Sequence, residues 1–115
     1  MSRARQRLGG WGEDRAAAWY EAEGYEVLAR NWRCRHGEID LVCARDGVVV
    51  IAEVKTRRSA AYGHPAEAVT PAKARRLRKL GALWLAQAGG PGWAEVRFDV
   101  VAILGAELDV IQGAF

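Results

Sequence analysis

Two apolar runs, "GEIDLVCA" and "VVVIAEVK", flank the tripeptide Arg45-Asp46-Gly47, and no other feature of the chain constrains its fold as tightly. Asp-Gly between such runs is a strong short-range hairpin signal, because both residues tolerate positive φ. A two-residue turn at Asp46-Gly47 sets Arg45 against Val48. Counting outward puts Val42 opposite Ile51, Asp40 opposite Glu53 and Glu38 opposite Lys55. Alternation then predicts Val49, Ile51, Glu53 and Lys55 on one face of the second strand. On the first strand Glu38, Asp40 and Val42 form one set, and Ile39, Leu41 and Cys43 the other.

Around this hairpin the remaining elements follow from local signals. "EDRAAAWYEAE", from Glu13, predicts a helix closed by Gly24, and "YEVLARNWR" predicts a strand. Thr70 reads as an N-cap before Pro71, opening a helix that runs to about Ala88. On it Leu77, Leu80 and Trp84 share one stripe and Arg75, Arg78 and Lys79 another. "EVRFDVVAIL", a Gly105-Ala106 turn and "ELDVI" predict a second hairpin. The order is αβββαββ: an α/β domain over residues 11–115 with a central mixed sheet flanked by helices. Residues 1–10, "MSRARQRLGG", read as a flexible basic arm, with no apolar stretch that would make them a secretory signal.

Asp40 and Glu53 carry the chemical question. Carboxylates at opposed strand positions, with β-carbons about 4.5–5.5 Å apart, repel unless a cation lies between them. Mg²⁺ suits such a place, since one or two carboxylates plus water and phosphate oxygens complete its octahedron. Mn²⁺ would substitute. The plainer alternative is a set of surface ion pairs among Glu38, Glu53 and Lys55. Val49 and Ile51 on the same face argue against it, because that face is apolar until its end. The formal net charge of +3 permits a polyanionic partner without requiring one. Cys34 and Cys43 lack zinc spacing and point to reduced thiols in a cytoplasmic protein. No apolar run is long enough to cross a membrane.

"GEIDLV" followed by "VVVIAEVKTR" resembles the D…E-x-K core of the restriction-endonuclease-like nucleases. The ordered set "GED", "GYEVLARNWR", "GEIDLV", "EVKTR", "YGHPAEAV" and "KARRL" more narrowly resembles the YraN family, small bacterial proteins similar to archaeal Holliday-junction resolvases. The resemblance implies a restriction-endonuclease-like three-layer fold. It matches Asp40 and Glu53 to the metal-binding acids, Lys55 to the catalytic lysine and Glu13 to an acid on the first helix. For Glu13 an ordinary first-turn capping role stands beside that reading. The implied activity is Mg²⁺-dependent hydrolysis of phosphodiesters, in DNA that is branched or structured, with Glu13 and the Val54 carbonyl completing the metal site. Cutting a four-way junction twice would call for a homodimer.

Lys73, Arg75, Arg76, Arg78 and Lys79, with Arg57 and Arg58, are the candidates for phosphate contacts that give affinity without sequence readout. A solvated helix face is the competing account of the same run. Two other functions stand against the nuclease. One is a nucleic-acid-binding module without turnover, and the other an adaptor in a repair complex. His64 reads as a loop residue and Asp99 as a partner of Arg97 or a loop. The five tryptophans read as packing, and Glu38 as either a ligand or a support for Lys55.

Overall fold

Asp46 and Gly47 both take positive φ, 51° and 79°, which is the type I′ geometry that suits a twisted hairpin. They join β2 (Gly37–Arg45) to β3 (Val48–Arg57), with Arg45 against Val48, Val42 against Ile51 and Leu41 against Ala52. The expected register is therefore the observed one over this stretch. The computed structural model describes residues 3–59, 69–88 and 95–115, and the side chains of the first helix from residue 10 onward. Before the hairpin stand α1 (Arg3–Ala22) and β1 (Glu26–Cys34); after it come α2 (Pro71–Ala88), β4 (Glu95–Leu104) and β5 (Glu107–Ile111). The order is αβββαββ, consistent with a restriction-endonuclease-like fold. The loop containing His64, the "GGPG" segment and Trp93 lie outside the described residues.

Helix ends are set by short-range chemistry. Gly24, at φ 89°, closes α1: Tyr25 N–H donates to the Tyr20 carbonyl at 2.9 Å and Gly24 N–H to that of Glu21 at 3.0 Å. Those two bonds are a Schellman cap. At the start of α2, the Thr70 hydroxyl accepts from Lys73 N–H at 3.2 Å, and the Thr70 carbonyl from Ala74 N–H at 2.9 Å. Removing that hydroxyl by Thr70→Ala should cost about 1 kcal/mol in urea unfolding, and Thr70→Ser should recover most of it.

The five strands lie in the spatial order β1-β2-β3-β4-β5. Only β3 and β4 run parallel, from Val48 against Glu95 to Arg57 against Leu104, and α2 lies on the crossover between them. Alternation along β3 divides the core in two. Val50 and Ala52 pack with Ala16, Ala17 and Tyr20 of α1; Val49 and Ile51 pack with Leu77, Leu80 and Trp84 of α2. Ile51, Leu80 and Ile103 are essentially out of water, which contributes about 1.5–3 kcal/mol for each. Among the described residues no helix is long and apolar enough to cross a membrane.

Three expectations need correcting. α1 begins at Arg3 rather than Glu13, because "RARQRL" is itself made of helix formers. Glu13 is thus mid-helix, and its first-turn capping role falls away. The glycines that follow do not break the helix, and Gly12 has a use in it. A β-carbon there would run into the Thr56 hydroxyl, so α1 lies against β3 as closely as glycine permits. The third correction concerns faces: Ile39 packs with Val42 on the α2 side, apart from Leu41 and Cys43. The reason lies in the β1–β2 pairing, which joins Arg30 to Leu41 and Trp32 to Ile39 but leaves out Asn31 and Asp40 between them. Asn31 adopts φ 52° at that point, and the two-stranded ribbon turns over.

Tryptophans behave as packing residues. Trp84 is buried, and Trp19 and Trp32 lie partly buried against the two cores. Trp11 is 45% exposed and carries Arg15 over its ring.

Candidate active site

Past Leu41 and Ala52 the β2–β3 ladder stops, and the side chain of Asp40 replaces it. Asp40 Oδ2 accepts the backbone N–H of Val54 at 2.8 Å. That bond anchors Asp40 between the parting strands and turns its carboxyl toward the neighbouring Glu53, which is within hydrogen-bonding reach of it. Burial, then the facing charge of Glu53, push the pKa of Asp40 up to about 8. With no cation beside it, Asp40 therefore takes up a proton far more readily than a free aspartate does.

Opposite these acids stand bases. Lys55 Nζ lies 3.3 Å from Glu53 Oε1, both side chains being largely covered. Lys73, from the first turn of α2, comes within hydrogen-bonding reach of Lys55, whose charge is the main reason its pKa is lowered. A cavity of about 320 Å³ gathers these groups. Gly37, Glu38 and Asp40 of β2 line one side, Glu53 and Lys55 of β3 the floor, and Lys73, Arg76, Leu77 and Leu80 of α2 the other side. It lies between the carboxyl half of β3, the start of β2 and the first turns of α2.

Glu13 flanks the pair. Burial raises its pKa, opposed by a hydrogen bond with Asn31, and its charge in turn acts on Asp40. No three His, Cys, Asp or Glu side chains converge tightly enough to hold a metal among the described residues. The donor core is therefore a pair, Asp40 and Glu53, with the Val54 backbone beside it. Two hard oxygen donors with unrelieved repulsion suit a divalent cation that keeps most of its own water.

Other predicted residues are distributed differently. Glu38 pairs with Arg33 at 3.4 Å rather than with Lys55. Arg57 and Arg58 are exposed at and just past the end of β3. The basic run on α2 does not form one face: Lys73 and Arg76 turn to the cavity, while Arg75 and Arg78 line a separate cleft of about 500 Å³ beside Phe115. Lys79 is exposed. Sequence reasoning missed the special place of Lys73 and Arg76, although their spacing from Leu77 and Leu80 (i, i+3, i+4, i+7) carried the signal. It also missed Asn31, for which the only hint is that asparagine tolerates the left-handed region. Asp99 lies apart from this cavity. It accepts from Arg97, Tyr20 and Gly113 on the α1 side of the sheet.

The acid pair has a consequence for stability. An aspartate whose pKa is raised on folding makes the folded protein bind more protons than the unfolded one. Stability is therefore lost as pH rises from the ordinary aspartate value, near 3.8, through about 8. Asp40→Asn should be more stable than the parent above pH 8 in chelator, and the gain should vanish below pH 4. Urea unfolding across that range measures it, and added Mg²⁺ should narrow the gap by stabilising the parent alone.

A model of an uncharacterised protein family, UPF0102, matches residues 12–103, a span that holds every residue of this cavity. A UPF0102 protein of Acidothermus cellulolyticus is 48% identical over 127 residues, covering 97% of this chain and 96% of its own length. One from Beutenbergia cavernae is 57% identical over 103 residues, covering 89% and 86%. Another, from Streptomyces griseus, is 54% identical over 102 residues, covering 88% and 85%.

Proposed function

Since the chain belongs to UPF0102, the YraN family, and carries an acid pair faced by lysines, we propose that it is a metal-dependent endonuclease hydrolysing phosphodiesters of DNA. The observation that carries this reading is the meeting of Asp40 and Glu53 at the parting of β2 and β3, inside a cavity that Lys55, Lys73 and Arg76 also line. Branched or structured DNA is the substrate class we favour, with two copies of the chain acting where both strands are cut.

Asp40 and Glu53 would hold Mg²⁺, or Mn²⁺ in its place, with Glu13 and the Val54 carbonyl in support. When bound, the ion polarises the scissile phosphate and lowers the pKa of water toward neutrality. The chain's own residues do the rest. The Val54 N–H keeps one Asp40 oxygen engaged, leaving the other free toward Glu53. Lys55, held by Glu53, presents an ammonium to the attacking water or to the charge that builds on phosphorus. Arg57, Arg58, Arg75, Arg78 and Lys79 supply phosphate contacts along the flanking backbone, which orient DNA without reading its sequence.

Incubation with flap, junction, single-stranded and duplex DNA in Mg²⁺ or Mn²⁺ tests the reading, with Lys55→Ala as control. The expected result is cleavage of at least one substrate by the parent and of none by the variant. Salt-sensitive DNA binding without any cleavage would instead support a binding module, and no affinity for nucleic acid an adaptor.

A further inference from the structure

Two ammonium groups brought into hydrogen-bonding reach pose the mirror image of the problem set by Asp40 and Glu53. Neither Lys55 nor Lys73 has an acceptor to offer the other. Glu53 serves Lys55 at 3.3 Å, but its carboxylate is also drawn toward Asp40. Arg76, one helical turn beyond Lys73, adds a third cation to the same cavity wall. The cavity thus holds like charges twice over, an acid pair on the β2–β3 side and a lysine pair toward α2. A cation relieves the first and an anion the second.

We propose that Lys55, Lys73 and Arg76 form the seat for one phosphate group, with Lys73 the positioning residue that fixes it beside the acid pair. The proposal rests on the nuclease reading for what the neighbouring acids do, but not for the seat itself. Its chemistry is specific. Three donors from two elements surround one volume of about 320 Å³, a size that admits a phosphate with a few waters. Arg75, Arg78 and Lys79 cannot contribute, because they line another cleft or face solvent. The helical turn that carries Lys73 is fixed: its backbone N–H is tied to Thr70 at 3.2 Å, and Ala74 and Leu77 beside it are buried.

The test uses the whole chain, inorganic phosphate and no divalent metal. Titration calorimetry and thermal unfolding are followed for the parent, Lys73→Met, Lys73→Arg and Arg45→Met, the last an exposed cation at the far end of β2. In phosphate-free buffer Lys73→Met should unfold at or above the parent's temperature, because it removes a repulsion rather than a support. Phosphate should raise the melting temperature of the parent, Lys73→Arg and Arg45→Met, and should raise that of Lys73→Met much less at the same concentration. Phosphate affinity should fall about tenfold in Lys73→Met, the loss expected for one charge-assisted contact. Equal phosphate affinity in the parent and Lys73→Met overturns the proposal, as does a parent that binds no phosphate. The nuclease reading can fail separately: if phosphate binding depends on Lys73 while no DNA is cut, the seat stands and the enzyme does not. Conversely, cleavage that needs Glu53 but phosphate binding indifferent to Lys73 leaves the enzyme and removes the seat.

Discussion

Glu53→Gln is expected to lower Mg²⁺-dependent cleavage by about a thousandfold or more, the scale on which a preorganised charge contributes to a transition state. The substitution keeps the side chain's size and removes its charge, so packing against Ile51 and α2 should survive. It also releases Lys55 from its only ion pair among the described residues, and a mobile ammonium would serve the phosphate less well. Melting temperature should change little or rise, because the repulsion between Asp40 and Glu53 disappears with the charge. Activity and stability are thus predicted to move independently. Cleavage rates and thermal unfolding on one preparation measure both. A variant that cuts at the parent rate would show that Glu53 has no part in the chemistry.

Asp99→Ala should do the opposite, costing about 3–5 kcal/mol of stability while leaving the cavity's chemistry intact. Asp99 is fully buried. One oxygen accepts from Arg97 Nε at 2.8 Å and Gly113 N–H at 3.0 Å, the other from Arg97 Nη2 at 2.9 Å and the Tyr20 hydroxyl at 2.6 Å. Those bonds tie α1, β4 and the C-terminal turn together. The same Arg97 reaches the Tyr25 hydroxyl at 3.0 Å. Removing the carboxylate leaves a guanidinium and a hydroxyl without their partner in a covered place, which costs far more than a surface ion pair would. For a domain of this size the loss is a large fraction of total stability. Urea or guanidinium unfolding should register it as a lower midpoint with an unchanged slope. Per folded molecule, cleavage should match the parent.

Much of the architecture was legible because its signals are local. Asp46-Gly47 fixed the register of β2 on β3, Thr70-Pro71 the start of α2, Gly24 the end of α1 and Gly105-Ala106 the last turn. Each is a short-range choice between backbone conformations, which the nearby residues decide. Glu53 and Lys55 fell on the expected face because β3 is regular throughout. Less legible was anything set by contacts between distant elements. The turning of the β1–β2 ribbon at Asn31 and Asp40 moved Ile39 to the α2 side, and no periodicity could announce a positive φ inside a strand. The join of Asp40 to the Val54 N–H arises where the ladder stops, a position that pairing rules do not foresee. On α2 the basic residues looked like one set, because clustering in sequence hides which cations turn inward. Only the sheet decides that Lys73 and Arg76 face the acids while Arg75 and Arg78 do not.

Direct binding of Mn²⁺, read by electron paramagnetic resonance on the parent and on the Asp40→Asn/Glu53→Gln double variant, asks whether these two side chains hold a metal at all. One tightly bound ion per parent chain, lost from the folded double variant, is the predicted result. The same stoichiometry and affinity in both proteins would contradict it.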